Sequence, residues 1–323
     1  MTIPPQIGAG VDLGSHTFRL LVAEWRDGKL TVLAKKMATV GLGRGLEEGD
    51  VLQEESMQQG LAALRSFRRT LDHCRPPNLR VCGTEALRRA KNSRPFLEEA
   101  GVLLGQPVEI ISGVEEARLS LAGALAGWPN PLPGPLLLAD VGGGSTELIL
   151  FDPAAEVIRA ASVDLGVVTL TGRFPADSCP DAAGLDNIIT EALADALQKL
   201  HPLPPQPLSV IGSGGSATSM VALALNLAVY DESLVHGFAL EASVMEQLWR
   251  TLAVLKVAER NALPCLGERR GEILPAGIRI YLALLRLLRQ EKMRVSDTGL
   301  LEGIMRSSLP GCKHEPLPRC FPC

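Results

Sequence analysis

The sequence predicts an α/β protein made of two similar domains, and three observations carry that reading. Its 323 residues fit two domains at roughly 100–200 residues each. Short apolar runs alternate with amphipathic stretches of helical spacing. Blocks also recur at a near-constant offset. Asp12-Leu13-Gly14-Ser15 matches Asp140-Val141-Gly142-Gly143, and Leu20-Leu21-Val22 matches Leu148-Ile149-Leu150, both 128 residues apart. Val81-Cys82-Gly83-Thr84 matches Val210-Ile211-Gly212-Ser213 at 129. Such matching marks an internal duplication.

Each element follows from local pattern. Ile7–Asp12 and Phe18–Trp25 alternate apolar and polar residues around Gly14-Ser15, which reads as a β-hairpin, and Asp27-Gly28 turns into a third strand, Leu30–Ala34. Gly41–Asp50 is a glycine-rich acidic loop, and Met57, Leu61, Leu64 and Phe67 recur at helical spacing within Glu54–Arg69. Leu79–Cys82 is a strand entering one helix rich in Arg and Ala; Val108–Ile111 is a strand and Val114–Ala126 a helix. Residues 128–135, WPNPLPGP, cannot continue a helix and form the linker. The pattern then restarts: strand Leu136–Asp140, a Gly142–Gly144 turn, strand Thr146–Phe151, helix Leu185–Leu200, strand Leu208–Ile211 and a long apolar helix. The expected domains are 1–127 and 128–309, followed by a Pro/Cys-rich tail at 310–323.

Composition restricts function. Apolar residues at 46% and charged ones at 21% exclude wholesale disorder and a fibrous repeat. A net charge of −4, with only 4% aromatic residues, argues against nucleic acid as a partner. The start, MTIPPQIGAG, lacks an export signal, and the apolar stretch near Met220–Tyr230 is shorter than the ~20 residues that span a bilayer. No membrane association is expected. Seven scattered cysteines do not make a disulfide framework, which places the chain in a reducing cytoplasm. A homodimer is possible, but no stretch commits to one.

The glycine turns carry the chemistry. In DVGGGSTE, Gly142, Gly143 and Gly144 strip side chains from the turn while Ser145 and Thr146 add hydroxyls. Backbone amides presented this way form an anion-binding concavity. Asp140 would repel a bare phosphate, but it suits a divalent cation that touches one. The same logic covers Asp12, Gly14, Ser15, His16 and Thr17 and, without the aspartate, Gly212, Ser213, Gly214 and Gly215. Neither GxxxxGK[ST] nor a dinucleotide fingerprint is present. The spacing fits the duplicated actin-like (ribonuclease H-like) ATPase fold of actin, sugar kinases and heat-shock ATPases, in which two domains face a cleft.

GVDLGSHTFRLLV, GTEALRRAKN, IISGVEEARL, ADVGGGSTELIL, VIGSGGSATS, ERRGEILPAG and VSDTGLLEGI resemble, in order, the exopolyphosphatase/guanosine pentaphosphatase (Ppx/GppA) family over about residues 7–306. The resemblance implies Mg²⁺-dependent hydrolysis of a terminal phosphate. Inorganic polyphosphate is the leading expected substrate and guanosine pentaphosphate (pppGpp) the alternative; a kinase or a non-catalytic sensor is more distant. It also implies that Glu116 is the catalytic base, that Arg88 neutralises phosphoryl oxygens, and that Asp140 and Glu147 hold the metal and position water. Arg19 and the Arg269–Arg270 pair would meet a longer anionic substrate. Glu115 is expected to point about 100° away from Glu116, and Arg89 to be the more exposed of its pair.

Three departures stand out. His16 replaces the family's usual asparagine, so phosphate binding could titrate, and Gly271-Glu272 replaces Ala-Asp. The chain also resembles the short, two-domain form rather than the longer relatives with C-terminal helical domains, which argues against high processivity. In the tail, Cys312, His314, Cys320 and Cys323 are metal-ligand types, but the spacing is no standard finger and the prolines favour a flexible end.

Overall fold

The computed structural model describes residues 5–26, 29–44, 46, 49–128, 132, 134–154, 157–174, 182–204, 208–264, 266 and 270–312. The Asp27-Gly28 turn, much of the WPNPLPGP linker, Arg269 and the tail beyond Cys312 lie outside these residues. The chain divides into two compact units, cut between Gly127 and Trp128 and again between Asp297 and Thr298.

The first unit runs β1 (Gln6–Leu13), β2 (Thr17–Arg26), β3 (Lys29–Thr39), α1 (Glu54–Cys74), β4 (Leu79–Gly83), α2 (Glu85–Arg89), α3 (Ser93–Leu104), β5 (Val108–Ile110) and α4 (Gly113–Ala124). Its sheet has the order β3-β2-β1-β4-β5, antiparallel among the first three strands and parallel from β1 to β5. Alternation along β1 sends Ala9, Val11 and Leu13 into one core with Phe18, Leu64, Phe67 and Phe96. The single helix expected after Gly83-Thr84 is two, because the chain leaves helical geometry between Arg89 and Ser93.

The second unit runs β6 (Leu136–Val141), β7 (Thr146–Asp152), β8 (Val157–Val163), α5 (Val167–Arg173), α6 (Ala182–Lys199), β9 (Ser209–Ser213), α7 (Gly215–Ala224), α8 (Glu232–Val235), β10 (Ala239–Glu241), α9 (Ala242–Ala253), α10 (Val257–Asn261), α11 (Arg270–Leu288) and β11 (Lys292–Ser296). Its sheet order, β10-β11-β9-β6-β7-β8, repeats the first sheet's pattern with β10 added at the edge. The duplication reaches the register: Asp12 pairs with Arg19 and Leu13 with Phe18, while Asp140 pairs with Glu147 and Val141 with Thr146. Both sheets therefore carry the ribonuclease H-like arrangement expected of a duplicated actin-like fold.

One boundary is corrected. The last helix, α12 (Leu300–Ser308), was expected within a second domain ending at 309, yet it belongs to the first unit. It covers the other face of the first sheet, where Leu301 and Met305 meet Leu21 and Ala23, and Ile304 meets Cys82, Ile111 and Leu119. Glycines permit this approach. A Cβ on Gly10 would stand 2.7 Å from Met305 N, and one on Gly123 would stand 2.7 Å from Gly299 C and Gly303 N. Among the described residues no helix is long and apolar enough to cross a membrane.

Candidate active site

In the first unit the strand carboxyl ends bring the expected residues onto one edge. Thr84 N and Oγ1 donate to Leu13 O at 3.4 Å, and Ile111 N donates to Gly83 O at 3.1 Å. The Gly14–Thr17 turn, the start of α2 and the start of α4 are thereby tied side by side. Ser112 caps α4 by accepting from Glu115 N at 3.2 Å, and the acidic first turn complements the helix dipole. Arg88 Nη1 donates to Ile111 O at 2.6 Å and to Glu116 Oε2 at 3.1 Å. Arg88, expected to meet phosphoryl oxygens, is thus bound to Glu116 in this state.

Glu115 and Glu116 diverge as expected for adjacent helical positions. Glu115 turns to Arg118 and to the buried Arg80, which also reaches Glu109 and Ser307 Oγ. Its carboxyl lies below the ordinary value, chiefly through the Arg118 hydrogen bond and further through Arg80, against the opposing effect of burial. Arg89 pairs with Asp50 and Glu85 and is the more exposed of the two arginines, at 45% against 32% for Arg88.

At the first turn, a Cβ on Gly14 would stand 2.8 Å from Thr17 O. The amides of Gly14 and Ser15 have no backbone partner among the described residues, and His16 is exposed. Asp12 is buried at 4% exposure, and Arg19, its cross-strand neighbour, is exposed. Beside Asp12 on β4, Cys82 has its thiol pushed up to about 12 by burial.

In the second unit a polar row crosses the sheet. Ser162, Glu147, Asp140, Ser213 and Ser296 are successive cross-strand partners on β8, β7, β6, β9 and β11. Paired residues share a face, here the one opposite Leu137, Ala139, Leu148 and Leu150, which enter the core. Ser145 Oγ and Ser162 Oγ both donate to Glu147 Oε1, at 2.7 and 3.1 Å, and fix its orientation.

The Gly142–Ser145 turn faces two ways. Gly142 N donates to Ser145 O at 2.9 Å, and the carbonyls of Gly142 and Gly143 accept from the first amides of α5. The amides of Gly143, Gly144 and Ser145 have no backbone partner among the described residues. Gly144 has open space where a Cβ would stand. Thr146 departs from expectation: it is fully buried, and its hydroxyl donates to Leu165 O at 2.5 Å rather than facing a ligand.

The third turn lies against the second. Gly214 takes a positive φ of 92°, and a Cβ there would stand 2.8 Å from Val141 O and 3.0 Å from Asp140 Oδ1, so glycine is required twice over. Arg270 Nη1 bonds Gly215 O at 2.8 Å and Ser219 Oγ at 3.0 Å, which brings that arginine to this turn. Gly212 is instead a packing glycine under Met293 and Tyr281, and Ser213 is 3% exposed, its Oγ without a hydrogen-bond partner among the described residues.

Sequence reasoning missed Tyr281. Its hydroxyl donates to Ser213 O at 2.5 Å and lies 3.3 Å from Ala139 O, bracing the ends of β6 and β9. Burial holds its phenol well above the ordinary range, and the Asp140 charge adds to this. Tyr230 also escaped notice. It donates to Asp297 at 2.5 Å, and burial and then that carboxylate push its phenol up.

The Asp140–Glu147 pair suits magnesium. Mg²⁺ is held by one or two carboxylates and completes its shell with water and substrate phosphate. Asp140 and Glu147 are cross-strand partners of that chemistry, Glu147 oriented by its two serines, and the described residues contain no group of three or more His, Cys, Asp or Glu placed for a metal.

Fold and residue placement define an actin-like α/β protein of duplicated design, with glycine turns at its strand carboxyl ends. A model of the Ppx/GppA phosphatase family matches residues 21–311, and the chain belongs to that family. A Vibrio parahaemolyticus protein named guanosine-5'-triphosphate,3'-diphosphate pyrophosphatase is 31% identical over 92% of this chain. The chain spans 58% of that relative's length. The crystal structure of the Aquifex aeolicus Ppx/GppA family member is 30% identical, with a TM-score of 0.77 over 93% of this chain and 96% of that one. The type II variant of the Aquifex aeolicus Ppx/GppA phosphatase is 29% identical, with a TM-score of 0.78 over 93% and 98%.

Proposed function

We propose that the chain hydrolyses the terminal phosphate of pppGpp, releasing ppGpp and inorganic phosphate. Of the two substrates expected from the sequence, the similar relatives' name supports pppGpp over polyphosphate, which had been the leading expectation. The observation that carries the reaction type is the Glu116–Arg88 pair, held at 3.1 Å on the edge that also presents the Gly14–Ser15 amides. Glu116 takes the proton of the attacking water as its oxygen bonds the γ-phosphorus; the bond from that phosphorus to the β–γ bridging oxygen breaks, and the electron pair leaves with ppGpp. Arg88 holds Glu116 in place and offers its guanidinium to the phosphoryl oxygens. Within the first unit the Gly14–Ser15 amides and Arg19 are offered to phosphate oxygens, and within the second the Gly143–Ser145 amides and Arg270 are groups of the same anion-binding kind. In the second unit Asp140 and Glu147 would hold Mg²⁺, an ion whose chemistry is to neutralise phosphate charge.

A reducing compartment is part of the same proposal, supported by seven scattered cysteines that make no disulfide framework. The test is phosphate release with Mg²⁺ from pppGpp, long-chain polyphosphate or ATP. pppGpp is expected to give the highest kcat/KM, and Glu116→Gln to lower turnover by about 10²–10⁴-fold while binding persists. Preference for polyphosphate would restore the other substrate, and undiminished turnover in Glu116→Gln would remove the base.

A further inference from the structure

The loop after β3 is built onto the first glycine turn. Val40 N and Gly41 N both donate to His16 O at 2.9 Å, and Gly43 N donates to Ser15 O at 2.8 Å. Gly41 is fixed from its other side as well: its carbonyl accepts Ser56 Oγ and Arg44 N, each at 3.1 Å. Gly41 also takes a positive φ of 66°, and a Cβ there would stand 2.6 Å from Arg44 Nε and 3.0 Å from Arg44 Cζ. The Arg44 side chain therefore folds back across Gly41, over the segment bonded to His16, in space that only glycine leaves open. Arg44 is exposed, and its side chain has no hydrogen bond or ion pair among the described residues. Solvation alone would let it extend freely; here the backbone beneath it is pinned, and the side chain lies back over Gly41, whose own amide is bonded to the Gly14–Thr17 turn.

We propose that Arg44 is an anion-contact residue of the first unit, which grips phosphate groups of the substrate other than the one being cleaved. The proposal rests on the reading of the chain as a phosphohydrolase of a nucleotide polyphosphate. It makes Arg44 a determinant of KM rather than of the chemical step, because a contact kept in both ground and transition states adds uniform binding.

The experiment compares wild type, Arg44→Ala, Arg44→Lys and Arg69→Ala, the last removing an exposed arginine of α1 whose side chain likewise has no partner among the described residues. KM and kcat for pppGpp are measured, and tripolyphosphate binding is titrated calorimetrically. Arg44→Ala is expected to raise KM and weaken tripolyphosphate by about tenfold, with kcat within about twofold, the scale of one charge-assisted hydrogen bond. Arg44→Lys should recover part of the loss and Arg69→Ala should match wild type. Unchanged KM and tripolyphosphate affinity in Arg44→Ala would overturn the proposal, as would an equal loss in Arg69→Ala, which would reduce the effect to net charge. If the wild type leaves pppGpp intact, the phosphohydrolase reading falls by itself, and the tripolyphosphate titration alone decides the role of Arg44.

Discussion

Replacing Gly123 by alanine tests the crossing of α4 and α12. The added Cβ would stand 2.7 Å from both Gly299 C and Gly303 N, and closer still to Gly299 O, whereas ordinary contact begins near 3.4 Å. α12 would have to retreat by more than the roughly 0.7 Å that those two contacts alone require, because Gly299 O is closer, and every obstacle is backbone, which cannot swing aside as a side chain does. Overpacking of this kind costs about 2–3 kcal/mol, which lowers Tm by about 3–4 °C for a chain of 323 residues. Thermal unfolding followed by circular dichroism measures it. Gly113→Ala, on the first turn of the same helix, is the control. Its Cβ would meet nothing within 4 Å, so its Tm should hold or rise with up to about 1 kcal/mol of stabilisation. Because α4 carries Glu116 in its first turn, Gly123→Ala should also lower kcat while Gly113→Ala leaves it near wild type. A Gly123→Ala protein with Tm within about 1 °C of wild type would refute the close crossing and the covering role given to α12.

Two further outcomes follow from the site. Tyr281→Phe removes the donor that braces Ser213 O, and urea unfolding should show a loss of about 1–2 kcal/mol; an unchanged midpoint would mean that the carbonyl finds another donor. Glu115 has its carboxyl depressed below the ordinary 4.5, so it contributes stability above that value and loses it as pH falls through the depressed one. Stability measured between about pH 6 and 3 should therefore fall less steeply in Glu115→Gln than in wild type, and equal acid limbs would exclude this carboxylate as a source of the slope.

The paired hairpins were legible because their signals are local. Alternation and a glycine turn fix both strands and register, so a 128-residue offset in sequence became identical pairing in the two sheets. Glu116 and Arg88 stood out in the sequence through the family resemblance, but their ion pair did not, since it joins two helices through the loop at Ile111. The length of β3 was underestimated. It is an edge strand exposed along most of its length, so Lys35-Lys36 and Met37 interrupt the alternation that a half-buried strand would show. Thr146 and Gly212 look like ligand-facing turn residues, yet whether a hydroxyl meets Leu165 or a glycine lies under Tyr281 depends on segments distant in sequence. The return of α12 was the hardest feature to foresee. Its cues are single glycines at 8, 10, 123 and 303, which acquire meaning only when the chain ends of the first unit meet.

That return bears on the order in which the protein is made. Trp128–Asp297 form one uninterrupted stretch, whereas the first unit needs residues from both sides of it. On a ribosome, β1 to α4 emerge first but leave Gly8 and Gly10 uncovered until α12 has been synthesised. The unit that starts first must therefore finish last. A nascent chain stalled before Thr298 would hold the whole Trp128–Asp297 stretch of the second unit, while the sheet of the first would still be bare on one side.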